Sequence, residues 1–412
     1  MNRPSPRRAL SGLRALGPLD RVRLGVLALG LLLVATGAVP AAEARAGLGR
    51  IAPLLLFLAA VVVLAELTRR AGVFDAVAQG LARAGRGRYP ALFALCLLFA
   101  SVTTAFLNLD TTAVLLTPVM LALAARSDIA APPLAMTTVW LANTASLLLP
   151  VSNLTNLLAA GRVGLGTGEF AARMAAPQLA ALLATAVLLW ALHWRRGARG
   201  ADRYTPPPPE PVRDRVLFGA GTAACLLFAA AILAGISTGY RLGAAAACAA
   251  AVVVIAFAVR DRPALTWRLL PWQLMVFVTG LFLVVPALER LGLDALTRVL
   301  AGGGEGAGEG AGGLFRTAFA GAGLANLLNN LPAYVAGERA VPAGDTDGLL
   351  ALLIGTNAGA VITPWGSLAT LLWFEWCRRY GVRVPVARFA AGGALLAVTA
   401  CAAAVAALAA TR

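Results

Sequence analysis

Apolar stretches close to the length of a bilayer crossing recur from one end of this 412-residue chain to the other. Leu24–Ala42, Ile51–Leu67, Phe170–Trp194, Val216–Ala234, Leu242–Ala258 and Ala390–Ala409 are the plainest. An α-helix needs roughly 20 apolar residues to cross the hydrocarbon core. In that solvent every backbone N–H and C=O must be paired within the protein, which leaves helices as the natural solution for runs of this kind. The expected fold is therefore an all-α polytopic membrane protein whose first partner is the lipid bilayer. Only 13% of the residues are charged, about half of the roughly 25% typical of soluble domains.

The net charge of +16 does not point to nucleic acid. All 35 basic residues are Arg, none is Lys, and they cluster between the apolar runs, where they set orientation. Without Lys the chain cannot carry a phosphate-binding P-loop and is not itself an ATPase. The cysteines Cys96, Cys225, Cys248, Cys377 and Cys401 form no C-x-x-C pair and have no nearby His, so neither zinc nor a disulfide framework is expected. No cofactor motif is present. His193, the one histidine, stands beside Trp194 and Arg195 and reads as an interfacial anchor.

The N-terminus has some features of a signal peptide: basic residues to Arg23, an apolar run, then Ala38-Val39-Pro40-Ala41-Ala42. Leader and apolar run are both long for that, so a retained first helix is expected. Residues 1–23 form a basic cytoplasmic N-terminus and 24–194 a first transmembrane half. Residues 195–215 are a cytoplasmic Pro/Arg linker with the stiff run Pro206–Pro209, and 216–412 a second transmembrane half. Helices are expected at about 24–42, 51–67, 170–194, 216–235, 242–259, 270–288 and 385–410, with an amphipathic segment at 73–81. Segments 90–125, 132–160, 314–340 and 349–378 are interrupted by polar residues, and 302–313 is a low-complexity Gly/Glu loop. If 90–125 and 314–340 are re-entrant hairpins, about nine helices cross. The N-terminus is then cytoplasmic and the C-terminus outside a cell inner (plasma) membrane. On that path 25 of the 35 Arg fall on the cytoplasmic side, as the positive-inside rule requires.

The two halves resemble each other. Residues 143–158 align without gaps on 357–372, sharing Asn143/Asn357 and Pro150/Pro364, with five of 16 positions identical. Phe106–Thr112 pairs loosely with Leu327–Pro332. The crossing count inverts one repeat against the other, a plan of secondary transporters. Helix breaks at Pro150 and Pro364 are tolerable only in a protein interior or beside a watery cavity. The N–H groups of half-helices suit an oxyanion there, and unwound carbonyls suit a cation. The candidate substrate and ion site comprises Asn108, Asp110, Thr111, Thr112, Ser152, Asn153, Thr155 and Asn156 from the first half. The second half supplies Asn329, Asn330, Thr363, Ser367 and Thr370. Small polar residues also glue membrane helices together, but here each cluster sits at a break and has a mate. Asp110 is an ionisable group near mid-bilayer, expensive and usually functional. It is the candidate proton- or cation-coupling carboxylate, or a helix N-cap ahead of Thr111-Thr112. Its repeat mate is not acidic.

At these residues the chain resembles the arsenite efflux permeases, or arsenical pump membrane proteins, of the ion-transporter superfamily. That superfamily also holds divalent-anion/sodium symporters and citrate transporters. Ile362-Thr363-Pro364-Trp365-Gly366-Ser367-Leu368-Ala369-Thr370-Leu371-Leu372-Trp373 is similar to their I-T-P-x-G-S-L-A-T-L-L-W. Ser152-Asn153-Leu154-Thr155-Asn156, Asn329-Asn330-Leu331-Pro332 and Asn108-Leu109-Asp110 through Thr117-Pro118 match further elements. The resemblance implies paired hairpins and broken helices around a midplane site, an elevator-like motion and often a homodimer. It further implies export of arsenite or antimonite, driven by proton exchange or by a separate ATPase subunit.

The expected function is thus export of a small inorganic solute, an oxyanion or neutral hydroxide such as arsenite, coupled to protons. A symporter of another anion or carboxylate, or a sodium/proton antiporter, of the same superfamily is the alternative. An enzyme is not expected. H-E-x-x-H is absent, and the G-x-S-x-G match at Gly235–Gly239 joins two membrane helices rather than a strand and a helix.

Overall fold

The computed structural model describes residues 18–195, 203–206, 208, 211–234, 239–288, 290, 310–342 and 344–411. Most of the Gly/Glu loop and of the Gly235–Gly239 turn, and residues 1–17 of the basic N-terminus, lie outside the described residues. The regular structure among those described is helical. Among the described residues, seven helices are long and apolar enough to cross a membrane.

The first half contains α1 (Pro18–Ala35), α2 (Ala41–Arg70), the short amphipathic α3 (Val73–Ala84), α4 (Tyr89–Leu107), α5 (Leu109–Arg126), α6 (Ala131–Thr144), α7 (Leu154–Val163) and α8 (Thr167–Leu189). The second contains α9 (Arg215–Leu233), α10 (Gly239–Arg260), α11 (Trp272–Leu288), α12 (Ala311–Leu328), α13 (Asn330–Gly337), α14 (Thr346–Ala358), α15 (Leu368–Arg379) and α16 (Val386–Ala410). The breaks fall where the polar residues stand: Asn108 between α4 and α5, 145–153 between α6 and α7, Asn329 between α12 and α13, and 359–367 between α14 and α15.

Two boundaries depart from the sequence reading: the first helix spans Pro18–Ala35 rather than 24–42, beginning inside the expected basic N-terminus. The second helix begins at Ala41 rather than near residue 51 and has 30 residues. Glu43 lies in its first turn and Arg45 just beyond, and charge at a helix end near the membrane surface costs the helix little. Pro53 inside it removes only one donor from the ladder.

Two groups of helices emerge. In one, α1 packs on α11, α2 on α10 and on α11, and α9 on α2 and α10. In the other, α4 to α8 pack with α12 to α16. The contacts obey a two-fold exchange of the halves. The pair α5/α15 maps onto α13/α7, α6/α15 onto α14/α7, and α8/α16 onto itself. In the first group α1/α11 maps onto α10/α2, and α9 is left without a mate.

Lipid tails are as apolar as the side chains, so close packing and polar contacts hold membrane helices together. Small residues allow that approach. A Cβ added at Gly355 of α14 would collide with the carbonyl of Ala318 on α12, and one at Gly359 with the Cβ of Ala322. Pairs spaced by four on both helices thus bring the backbones into contact.

Candidate transport site

Four helix breaks converge in the second group of helices, and each begins its following helix with a capping side chain. Asn108 sits at φ 71° and Asn329 at φ 111°. With ψ at 166° and 152°, neither lies in the left-handed helical basin; this region belongs almost wholly to glycine, so both tips hold Asn in a strained backbone. The Asn108 Oδ1 accepts from Thr111 N at 3.0 Å, and the Asn329 Oδ1 from Leu331 N at 3.4 Å. At the two broken helices, Asn153 caps α7 by accepting from Thr155 N, and Ser367 caps α15 by accepting from Thr370 N. These two caps occupy aligned positions of the repeat.

The halves are joined by side chains. Asn357 Oδ1 accepts from Asn153 Nδ2 at 2.8 Å and from Thr155 Oγ1 at 2.7 Å, while its Nδ2 donates to Asn156 Oδ1 at 2.7 Å. The symmetry mate of the last contact runs from Asn143 Nδ2 to Thr370 Oγ1, at 3.5 Å the long limit of a hydrogen bond. Asn143 and Asn357 are the invariant Asn of the internal alignment, yet were not counted as site residues. The signal was there in the shared position.

Several candidate residues have their hydrogen-bonding capacity taken up by the scaffold. Thr112 Oγ1 donates to the Asn108 carbonyl at 2.8 Å. Ser152 Oγ donates to the Ala105 carbonyl at 2.9 Å. Asn156 Nδ2 holds the Ser146 and Leu149 carbonyls of the first break. Ser367 and Thr370 hydroxyls share a bond of 2.9 Å. Thr363 Oγ1 donates to the Asn326 carbonyl at 3.0 Å. Asn326 was not singled out from sequence, although it organises the second break. Its Oδ1 accepts from Ile362 N and Thr363 N, and its Nδ2 donates to the Ala322 and Gly359 carbonyls. Asn330 N donates to the Gly366 carbonyl at 2.8 Å, fastening the second hairpin to that break.

The first hairpin tip differs. Asn108 Nδ2, Asp110 Oδ1 and Thr111 Oγ1 are buried without a hydrogen-bond partner. Buried polar atoms are rarely left so unless a ligand, ion or water completes them. The Asp110 carboxylate faces the backbone N–H of Ala369 in the first turn of α15, where the partial positive charge of a helix N-terminus suits an anion. A small cavity of about 20 Å³ brings together Asp110, Asn153, Asn329, Asn330 and Leu368, and so touches all four helix breaks. It holds about one water-sized particle. A second cavity, of about 650 Å³, reaches Asp110 and Thr111 from one end of the molecule and is lined there by Arg23, Glu66, Arg268, Glu375 and Arg379. Arg23 had been read only as part of a basic leader. In the structure it is 9% exposed and lines the cavity that Asp110 lines.

Two halves related by an exchange of contacts, broken helices and a buried polar pocket reached by a vestibule are features of polytopic membrane transport proteins. The citrate transporter family profile matches residues 15–344, and the chain belongs to that family. It is 34% identical over 338 residues to the arsenical pump membrane protein of Escherichia coli K12, covering 77% of this chain and 76% of that one. The Yersinia enterocolitica protein of the same name is 33% identical over 341 residues, with the same coverage. The fold is similar to the crystal structure of the Alcanivorax borkumensis YdaH transporter, with a TM-score of 0.55 over 96% of this chain and 98% of that one, at 16% identity.

Proposed function

We propose that the protein is a secondary active transporter that exports arsenite or antimonite by proton-coupled alternating access. The observation that carries this reading is the Asp110 carboxylate: buried, with one oxygen unpartnered, at the point where the vestibule meets the midplane pocket. A carboxylate so placed can exchange a proton with the vestibule. Asn108, Thr111, Asn153, Asn329 and Asn330 would offer neutral donors and acceptors to a small oxygen-rich solute. Ser152, Thr155, Asn156, Thr363, Ser367 and Thr370 would hold the breaks in shape. The names of the relatives at 33–34% identity support an arsenical as the solute.

Topology supports alternation between two faces. With both hairpins re-entrant, the first half ends on the side where it began. The unmated helix α9 then carries the chain across once more, so the second half starts from the opposite side and is inverted. Nine crossings result. The positive-inside rule favours a cytoplasmic position for the Arg-lined vestibule mouth, the side from which an exporter loads.

The test is arsenite uptake by everted membrane vesicles with and without an imposed proton gradient. The wild type should accumulate arsenite only with the gradient, and Asp110→Asn should fall to the level of empty vesicles. Full, gradient-dependent uptake by Asp110→Asn would remove the coupling role. No uptake by folded wild type would remove arsenite.

A further inference from the structure

α15 borders two cavities. Its Leu368, Leu372, Trp376 and Arg379, three and four residues apart on one face, line the vestibule. Leu371, Phe374 and Arg378 share the same spacing on the adjacent face and line a separate groove of about 660 Å³. Glu375 stands between the faces and lines both. One of its oxygens accepts from Arg378 at 2.7 Å and the other from Arg379 at 3.0 Å. The chain then turns at Gly381, with φ 71°, and Val382 N donates to the Cys377 carbonyl at 2.8 Å. That turn brings Val382, Arg383 and Val384 to the groove.

The groove is amphipathic. Leu371, Phe374, Val382 and Val384 are half-buried, whereas Arg378 and Arg383 are exposed. Arg383 makes no ion pair or hydrogen bond among the described residues. Arg378 gives Glu375 only its Nη2, and with its side chain 77% exposed it keeps Nε and Nη1 to donate elsewhere. The single Glu is shared with Arg379, so the groove carries an excess of positive charge. Beside it the Arg379 guanidinium lies 5.1 Å from the Trp376 ring, and Trp376 and Tyr380 stand 6.2 Å apart. Aromatic and Arg residues gather in this way at the headgroup level of a membrane. Leu371 lies two helical turns deeper than Arg378, about 10 Å along the axis.

Basic pockets at the ends of membrane helices hold anionic lipid headgroups, and guanidinium matches phosphate in a planar fork. A soluble phosphate would leave the apolar walls bare, and a lipid fills them with an acyl chain. We propose that this groove is a site for one anionic phospholipid, its phosphate between Arg378 and Arg383 and a chain running inward past Leu371 and Phe374. The lipid fastens the end of α15 to the loop that follows it. The opposite end of that helix offers the Ala369 N–H to Asp110, so the lipid steadies the helix on which the transport pocket is built. The inference stands apart from the identity of the transported solute.

The test uses the full chain in detergent micelles, titrated with phosphatidylglycerol, with phosphatidylcholine of the same chains, or with glycerol phosphate. Retained lipid is counted by native mass spectrometry, and the thermal midpoint is followed by Trp fluorescence. Phosphatidylglycerol should bind saturably and raise the midpoint, and phosphatidylcholine should do neither. Glycerol phosphate should bind at least about tenfold more weakly, because no chain lies against the walls. Arg383→Gln, at an exposed position, should fold normally, weaken phosphatidylglycerol about fivefold and abolish most of the midpoint rise, and Arg383→Lys should restore much of both. Val384→Gln should weaken the lipid through its chain and leave glycerol phosphate unchanged. Equal retention of phosphatidylcholine, or wild-type affinity in Arg383→Gln, overturns the inference. Glycerol phosphate binding as tightly as the lipid overturns it in favour of a free anion, and a dimer that phosphatidylglycerol does not displace overturns it in favour of a second copy of the chain.

Discussion

Asn357 shows how much one side chain holds here. Its amide meets Asn153, Thr155 and Asn156 across the boundary between the halves, and all of these groups are buried from bulk water. Truncation leaves three polar partners orphaned, each at about 1–3 kcal/mol. Asn357→Leu should therefore lower the thermal midpoint of the purified protein markedly, in a fluorescence-monitored melt. Asn143→Leu should lower it less, because its cross-half contact is long at 3.5 Å. Equal effects would mean that the clasp is not as lopsided as its geometry. Asp110 has the opposite character, a buried carboxylate oxygen without a partner. Removing its charge should stabilise the fold or leave it unchanged while transport is lost.

Among the elements, the contact of α12 with α14 depends on glycine. Gly355 presses its backbone on the Ala318 carbonyl, and Gly359 lies against Ala322. A leucine at 355 must push the helices apart and drag Asn357, two residues on, away from α7. Gly355→Leu should cost several kcal/mol, as overpacking by more than one methylene does, and should reduce the yield of folded protein in size-exclusion chromatography. The hairpin tips carry a comparable constraint. Positive φ with extended ψ at 108 and 329 suits Gly, and it is the capping oxygen that calls for Asn there. The Asn at each tip is therefore required by the turn before any ligand is considered.

For the whole molecule, the two helix groups meet along few elements: α2 with α5 and α11 with α13, two contacts that the exchange of halves relates, and α3, which packs on α2 and α9 on one side and on α4 and α5 on the other. Movement of one group past the other would expose the Asp110 pocket on the opposite side. In the present arrangement Thr111 is 3% exposed but lines the vestibule. A cysteine at that position, in a chain whose five native cysteines are replaced, should react with a small membrane-impermeant thiol reagent from the vestibule side. In everted vesicles, whose outer surface is cytoplasmic, labelling should be fast, and in right-side-out vesicles slow. The reverse ratio would place the vestibule mouth outside.

Much of this was open to reading along the chain because its causes are local. Bilayer length, polar interruption and the 214-residue offset between Pro150 and Pro364 are properties of consecutive residues. They gave helices, breaks and the relation of the halves. The fold of the second helix from Ala41 was missed because charge near a membrane surface looks the same in a loop as in a first helical turn. The roles of Asn326, Asn357 and Arg23 were also missed, for a different reason. Whether a polar atom is satisfied depends on what arrives from distant sequence: Asn357 meets residues some 200 positions away, and Arg23 lines a cavity with α15. By itself the sequence determined an all-helical membrane protein with a doubled, interrupted core. Only the tertiary structure decided which of its polar residues fasten that core and which, like Asp110, Asn108 and Thr111, are left with atoms to offer, because hydrogen-bond satisfaction is settled by packing in three dimensions.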